Sequence, residues 1–325
     1  MVSVCILTYN QEIYIKQAID SALNQNTSFN YELVIGEDCS TDQTRAVIEQ
    51  YQKKYPNKIR LLLNDKNVGA VKNLAAILLA SRGKYIAMLE GDDYWTSPNK
   101  LQKQVDFLQC NPDYSICFHA AKLVDRTDNL IRILPLEKFK KATSTLEDLL
   151  IHDVFMPTCS TMFRARSFEY FPKILFSLRN GCDWALSVLN AEHGLIGYLD
   201  ETMSAYRSQS SDFAWSSRQL TEIYPDAIKI NEEFNAYFDF KYDHIFSSKL
   251  ATYHSILAKD YLRQGHIKRA FEEMKRSIQK KWIPKLFFHL ILVGGPLMFL
   301  RGCLLRNFPK FHAKLKSIIK KNRYR

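Results

Sequence analysis

Tyr85-Ile86-Ala87-Met88-Leu89 runs directly into Glu90-Gly91-Asp92-Asp93-Tyr94-Trp95. The first five residues are apolar enough to form a strand buried inside a sheet. Three carboxylates within four positions then emerge at the strand's carboxyl end, where open α/β sheets bind ligands. A hard divalent cation such as Mg2+ or Mn2+ is typically held by one or two carboxylates, with ligand phosphates and water completing its octahedron. The segment therefore suggests transfer chemistry on a diphosphate. A solvated acidic turn has the same composition, and the rest of the chain decides between the two.

Three further apolar runs end in polar clusters. Val2-Ser3-Val4-Cys5-Ile6-Leu7 meets Thr8-Tyr9-Asn10; Tyr31 to Gly36 meets Glu37-Asp38-Cys39-Ser40-Thr41-Asp42; Arg60 to Leu63 meets Asn64, Asp65 and Asn67-Val68-Gly69. Between them lie stretches with a 3.6-residue apolar period: Ile13, Ala18, Ile19, Ala22 and Leu23; Val47, Ile48 and Tyr51; Leu74, Ile77 and Leu78. Strand and helix alternate three times, which predicts a parallel sheet covered on both faces, with four polar clusters on one rim. Four clusters on one edge make a binding cleft a better explanation than four accidents.

Val4 to Asn10, Glu37 to Asp42, Asn67-Val68-Gly69 with Asn73, and Leu89 to Trp95 resemble, in order, the motifs of family 2 glycosyltransferases of the GT-A fold, especially bacterial surface-polysaccharide members. The similarity spans about the first 215 residues. It implies a Rossmann-like α/β fold with a mostly parallel sheet flanked by helices, and inverting transfer of a sugar from a nucleotide diphosphate, usually a UDP-sugar. It implies that Thr8, Tyr9 and Asn10 line the nucleotide pocket, with Glu37 nearby, that Asp38 contacts the base, and that Asn67, Gly69, Lys72 and Asn73 lie beside it. Relatives often carry Arg where this chain has Lys72, and Lys lacks Arg's planar fork. The family's Asp-x-Asp metal motif falls on Glu90-Gly91-Asp92. Asp92 is accordingly expected to be the main ligand of Mn2+ or Mg2+, with Glu90 and Asp93 supporting it and Gly91 and Trp95 completing the donor site.

Inverting transfer needs a base that takes the acceptor hydroxyl's proton. Asn180-Gly181-Cys182-Asp183-Trp184 precedes an apolar helical stretch, Ala185 to Ala191. The residues alone leave Asp183 either as such a base or as a first-turn acid facing the helix dipole; the family's motif order implies the base. Farther on, Met203 to Arg207 leads to Gln209, where relatives often have a His near the metal or diphosphate. Arg207 reads as a diphosphate clamp or a surface ion pair. His119, at the end of the apolar run Ile116 to Phe118, reads as a structural histidine with a possible contact to the acceptor.

Seven Cys without a Cys-x-x-Cys pair indicate neither a disulfide framework nor a zinc site. The first strand begins at Val2, leaving no room for a cleavable signal peptide, so a cytoplasmic location is expected. Charge is uneven: Arg276 to Arg325 holds 13 Lys and Arg and neither Asp nor Glu, so the net charge of +11 belongs to the tail. Within it Leu286 to Leu300 is uncharged and mostly apolar, yet shorter than the ~20 residues a spanning helix needs. Basic residues beside apolar anchors favour the inner leaflet of an anionic membrane, and no nucleic acid. The expected division is a catalytic domain over 1–216, a C-terminal helical extension over 217–275 and a membrane-associating tail over 276–325. Within the extension, Tyr253 to Ile278, turning at Gly265-His266, resembles a single tetratricopeptide-type hairpin. The expected activity is sugar transfer from a nucleotide-sugar donor to a glycan or lipid-linked glycan at the cytoplasmic membrane face. The alternatives are a nucleotidyltransferase, which would call for a Gly-rich phosphate loop after the first strand, and a non-catalytic nucleotide-sugar-binding protein.

Overall fold

In the computed structural model of the chain, residues 1–152, 155–165, 181–208 and 219–280 are described, and the chain divides into two compact units, Met1–Phe246 and Ser247 onward.

The first unit opens as the alternation predicts. Strands β1 (Val2–Thr8), β2 (Tyr31–Glu37), β3 (Ile59–Leu63) and β4 (Tyr85–Glu90) are separated by helices α1 (Ile15–Leu23), α2 (Thr44–Lys54) and α3 (Ala70–Ala80). They pair in parallel in the order β3-β2-β1-β4. Successive strand residues point to opposite faces, so Cys5, Val34 and Met88 join one apolar layer and Val4, Leu33 and Ala87 the other. Ala18, Ile19 and Ala22 of α1, Ile48 of α2, and Leu74, Ile77 and Leu78 of α3 are buried against these layers. Ile13, expected on the first helix, is 77% exposed. The amides of Tyr14 and Ile15 both donate to Gln11 O, so the helix begins two residues later and Ile15 takes the core position.

The first four strands pair in parallel as expected, and beyond β4 the sheet is mixed. It continues β4-β9-β6-β10-β5, in which β9 (Met162–Arg164) lies antiparallel between β4 and β6 (Tyr114–Val124). β10 (Leu195–Arg207) runs parallel to β6, while β5 (Tyr94–Trp95) pairs antiparallel with β10. The edge strands β7 (Leu130–Leu134) and β8 (Thr143–Ser144) pair with β6 and β10. The sequence reads as two segments what is one strand, β10, with register slips between Leu199 and Ser204 that leave Asp200 and Glu201 exposed. Such bulges re-aim a strand; here Ser204 and Ala205 meet Trp95 and Tyr94, which carries Arg207 to the acidic turn. Helices α4 (Lys100–Cys110), α5 (Leu146–His152), α6 (Cys182–Ala191) and α7 (Leu220–Tyr237) complete this unit. Phe234 of α7 packs edge-on against Trp184 of α6 at 5.3 Å between ring centres, within the same core as Met88 and Phe118.

The compact division falls inside α8 (Asp243–Arg263). In the second unit α8 turns at Gly265, whose φ is +79°, into α9 (Ile267–Lys280), close to the expected hairpin. Ser277 Oγ donates to Ala251 O at 2.7 Å, and His254 Nδ1 lies 2.6 Å from Glu273 Oε2. Among the described residues no helix is long and apolar enough to cross a membrane. Leu286 to Leu300 and the rest of the tail from 281, like Gln209, lie outside the described residues.

One core residue runs against the apolar pattern. Lys100, the first residue of α4, is fully buried; its Nζ has no hydrogen-bond partner among the described residues and sits 3.9 Å from the centre of the Trp95 ring. Burial pushes its amine down to about 7, against a smaller upward pull from Cys159 and Cys117. With the folded value below the ordinary 10.5, the unfolded chain holds more protons between about pH 7 and 10.5, so this group makes stability rise with pH there, by at most ~1.4 kcal/mol per pH unit. Lys100→Met should therefore be more stable than the parent at pH 7 by ~3–5 kcal/mol, with the gap narrowing by pH 8.5. Urea midpoints of both proteins at the two pH values measure this; a gap independent of pH would show that Lys100 is not the titrating group.

Candidate active site

The carboxyl ends of β1, β2 and β3 are welded to one another. Asn10 takes a left-handed φ of 52°; its Oδ1 accepts the Thr41 amide at 2.8 Å and its own amide donates to Ser40 Oγ at 3.0 Å. Glu37 is fully buried, accepting the Ser40 amide at 2.6 Å and Arg45 Nε at 2.5 Å, and Arg45 in turn donates to Asn64 O. Asp38 accepts from Asn64 Nδ2 and the Val68 amide through Oδ1, and from the Gly69 amide through Oδ2, all within 3.0 Å. Its carboxylate thus shapes the 64–69 loop. Gly69, at φ +89°, takes a turn few other residues tolerate and caps α3. Asn67 is exposed, with Oδ1 3.1 Å from the Gly69 amide; Lys72 is exposed one turn into α3; Asn73 is buried, its Nδ2 donating to Gly36 O at 2.8 Å. Of the residues expected to touch nucleotide, then, Glu37, Asp38 and Asn73 are buried, while Tyr9 is half-buried and Asn67 and Lys72 are exposed. Arg45 and Asn64 join this hydrogen-bonded cluster without having been singled out from sequence.

At the end of β4, Gly91 approaches β1 so closely that a Cβ there would lie 2.2 Å from Gln11 Oε1 and 3.0 Å from Thr8. Thr8 Oγ1 and Gln11 Oε1, both buried, have no hydrogen-bond partner among the described residues. Glu90 and Asp92 are half-buried. Asp93 is 1% exposed, and its Oδ1 accepts the Arg207 amide at 2.8 Å. Trp95 is also interior, donating through Nε1 to Cys159 O at 2.9 Å. Both residues therefore shape the floor of the site.

Asp183 reaches this turn from α6. The helix cap is Gly181, and no side chain bonds the first turn as a cap, so Asp183 is not spent as one. Its Oδ2 lies 3.3 Å from Thr158 Oγ1, in a small pocket also lined by Met88, Met156, Phe163 and Ser187. Glu90 is held well above the usual carboxylate range, first by burial and then by Asp93, Asp92 and Asp183. Burial and then Asp92 raise Asp93 likewise, against the Arg207 amide and the Cys159 thiol. The Tyr206 hydroxyl, a neighbour the sequence did not flag, is raised by burial and by all four acids. Asp92, Asp93 and Asp183 thus each disfavour the charged form of Glu90, an arrangement that a divalent cation relieves. Among the described residues no three acids, Cys or His converge into a ready-made metal cage.

Arg207 is neither an exposed ion pair nor a free cation. Its side chain is 1% exposed and bonded to Asp92 O, Gln17 Oε1 and Asp128 Oδ1. His119 is fully buried, with Nδ1 2.8 Å from Ala120 O, and burial followed by Lys100 pushes it down to about 3. It is therefore a neutral interior residue, and the expected contact with an acceptor is withdrawn.

A doubly wound sheet with its polar residues gathered at the strand ends, an acidic turn after the fourth strand and a helix-borne acid beside it define the GT-A class of glycosyltransferase fold. The profile of "Glycosyl transferase family 2" matches residues 3–171, and the chain belongs to that family. The uncharacterized Mycobacterium tuberculosis protein Rv1520 is 36% identical over 206 residues, covering 63% of this chain and 58% of that protein. Bacillus subtilis TuaG, named as a teichuronic acid biosynthesis glycosyltransferase, is 33% identical over 45% of this chain and 54% of its own length. The chain thus spans little more than half of these relatives. Among solved structures, S. aureus TarS (residues 1–349) in complex with UDP-GlcNAc shares the fold at TM-score 0.54 and 19% identity, over 86% of this chain and 92% of that one. The mannosyltransferase PcManGT of Pyrobaculum calidifontis, in complex with GDP-Man and Mn2+, does so at 0.54 and 16%, over 99% and 86%.

Proposed function

We propose that this glycosyltransferase is inverting and metal-dependent, moving a sugar from a nucleotide diphosphate donor, most simply a UDP-sugar, to a hydroxyl of a lipid-linked or polysaccharide acceptor in cell-envelope glycan synthesis. The observation that carries this reading is that Asp183, 90 residues from the acidic turn in sequence, lines the same pocket as Met88 of the strand that ends in that turn. Asp92, supported by Glu90, would hold Mn2+ or Mg2+; the ion when bound neutralises charge on the departing diphosphate. Thr8, Tyr9, Asn10 and the loop shaped by Asp38 hold the nucleotide, with Asn67, Gly69 and Lys72 along its edge. Asp183, on a separate helix and bonded to Thr158, takes the proton of the attacking hydroxyl. TuaG's name supports a cell-wall glycan acceptor. The complexes of TarS with UDP-GlcNAc and of PcManGT with GDP-Man support a nucleotide-sugar donor, and PcManGT's Mn2+ supports the ion. The basic, partly apolar tail over 276–325 would hold the catalytic domain at the inner leaflet of the cytoplasmic membrane, with 217–275 as the helical link.

One incubation tests both parts: the full chain with Mn2+, a panel of UDP-, GDP- and dTDP-sugars, and anionic liposomes at low salt. Slow release of nucleoside diphosphate from one sugar nucleotide and recovery of the protein in the liposome pellet are expected. Failure to bind or hydrolyse any sugar nucleotide would sink the donor reading, and protein left in the supernatant would sink the membrane reading.

A further inference from the structure

The guanidinium of Arg207 is buried beside the acidic turn, and it is engaged through its two terminal nitrogens, Nε having no partner among the described residues. Its NH1 donates to the main-chain oxygen of Asp92, and its NH2 donates to Asp128 Oδ1 at 2.6 Å and Gln17 Oε1 at 3.0 Å. The rings of Tyr14 and Tyr94 lie 4.3 and 5.2 Å from its central carbon. Its own amide holds Asp93 Oδ1. One residue therefore grips the turn at two points, the peptide of Asp92 and the carboxylate of Asp93.

Asp128 is the partner that balances the buried charge. It sits between β6 and β7, where Asp125 Oδ1 accepts the amides of Thr127 and Asn129 at 2.8 and 3.0 Å and makes the turn rigid. Asp128 itself takes a φ of +65°, and its side chain is 43% exposed while that of Arg207 is 1% exposed. A guanidinium so engaged is directed at the protein rather than at a diphosphate. With Nε unpartnered, the geometry of this buried Arg depends on the charge and acceptors that NH1 and NH2 find.

We propose that Arg207 and Asp128 form a positioning pair that fixes the acidic turn, so that Asp128, on a hairpin distant in sequence, sets metal affinity through the main chain of Asp92 without touching metal or donor. This rests on the reading of Asp92 as metal ligand. Groups that orient metal ligands typically contribute 10- to 100-fold to metal affinity, and the hydrogen bond to Asp92 O places Arg207 in that position.

The test is titration of Mn2+ alone into the full chain, with free Mn2+ counted by electron paramagnetic resonance and thermal unfolding recorded beside it. Asp128→Asn suits the left-handed backbone and removes the charge while keeping an oxygen. It should weaken Mn2+ binding by about 10- to 100-fold with little change in the unfolding midpoint, and Asp128→Glu should recover part of the loss. Gln17→Leu, on an exposed stretch of α1, removes the second acceptor and should shift affinity in the same direction by less, which keeps the proposal testable should Asp128→Asn fold poorly. Unchanged Mn2+ affinity in Asp128→Asn and Gln17→Leu overturns the pair while leaving the metal reading intact. So does tighter binding of UDP or GDP by Asp128→Asn with Mn2+ affinity unchanged, because it would reveal Arg207 as a diphosphate clamp that Asp128 restrains. A wild-type protein that binds no Mn2+ removes the metal reading itself and the pair with it.

Discussion

Asp92→Asn is expected to abolish sugar transfer, by about 10³-fold or more, and to remove Mn2+-dependent donor binding while the protein stays folded. The substitution keeps the size of the side chain and removes its charge. Stability should hold or rise slightly, because Asp92 is among the acids that push Glu90 and Asp93 upward, and deleting one of several like charges relieves the others. That combination separates a ligand from a structural acid, whose loss would lower stability. Donor turnover, Mn2+-dependent binding by calorimetry and thermal unfolding measure the three quantities. Full activity of the wild type in EDTA would end the assignment at once, and so would transfer by Asp92→Asn at the parent rate.

Asp183→Asn should lower the rate constant for transfer by ~10²- to 10⁴-fold, equivalent to ~3–5 kcal/mol in the barrier, with donor affinity nearly unchanged. A first-turn acid contributes only ~0.3–1 kcal/mol through the helix dipole. With Gly181 as the cap and no capping side chain, there is no larger structural debt for Asp183 to carry. Asn retains an oxygen for the Thr158 hydroxyl, so the neighbouring packing should persist. Single-turnover rates with a productive acceptor, beside equilibrium binding of the donor, make the comparison. Equal losses in donor binding and in rate would show that Asp183 organises the site instead of taking a proton.

Much of the catalytic half is legible in the chain because its signals are local. The run from Tyr85 to Leu89, the clusters after β1, β2 and β3, and the spacing of Leu74, Ile77 and Leu78 each report a strand, a strand end or a helix face within a dozen residues. Ile13 misleads because a turn held by Gln11 overrides periodicity at the helix start. Roles were harder to read than places. Asp38, Asn73 and Arg207 lie near the strand ends, yet hydrogen bonds to Val68, Gly36 and Asp128, between 30 and 79 residues away, engage them within the protein.

The sequence by itself determined the α/β alternation, the rim on which polar residues gather and the acidic turn after the fourth strand, because side-chain period and strand ends are properties of neighbouring residues. Contacts between distant segments set the antiparallel entry of β9, the pocket that Asp183 shares with Met88, the burial of Lys100 and His119, and the hold of Arg207 on the turn. Pairing direction and burial arise from contacts between distant segments, where the desolvation of each charge and the matching of each donor depend on what packs against it, and no local pattern carries that information.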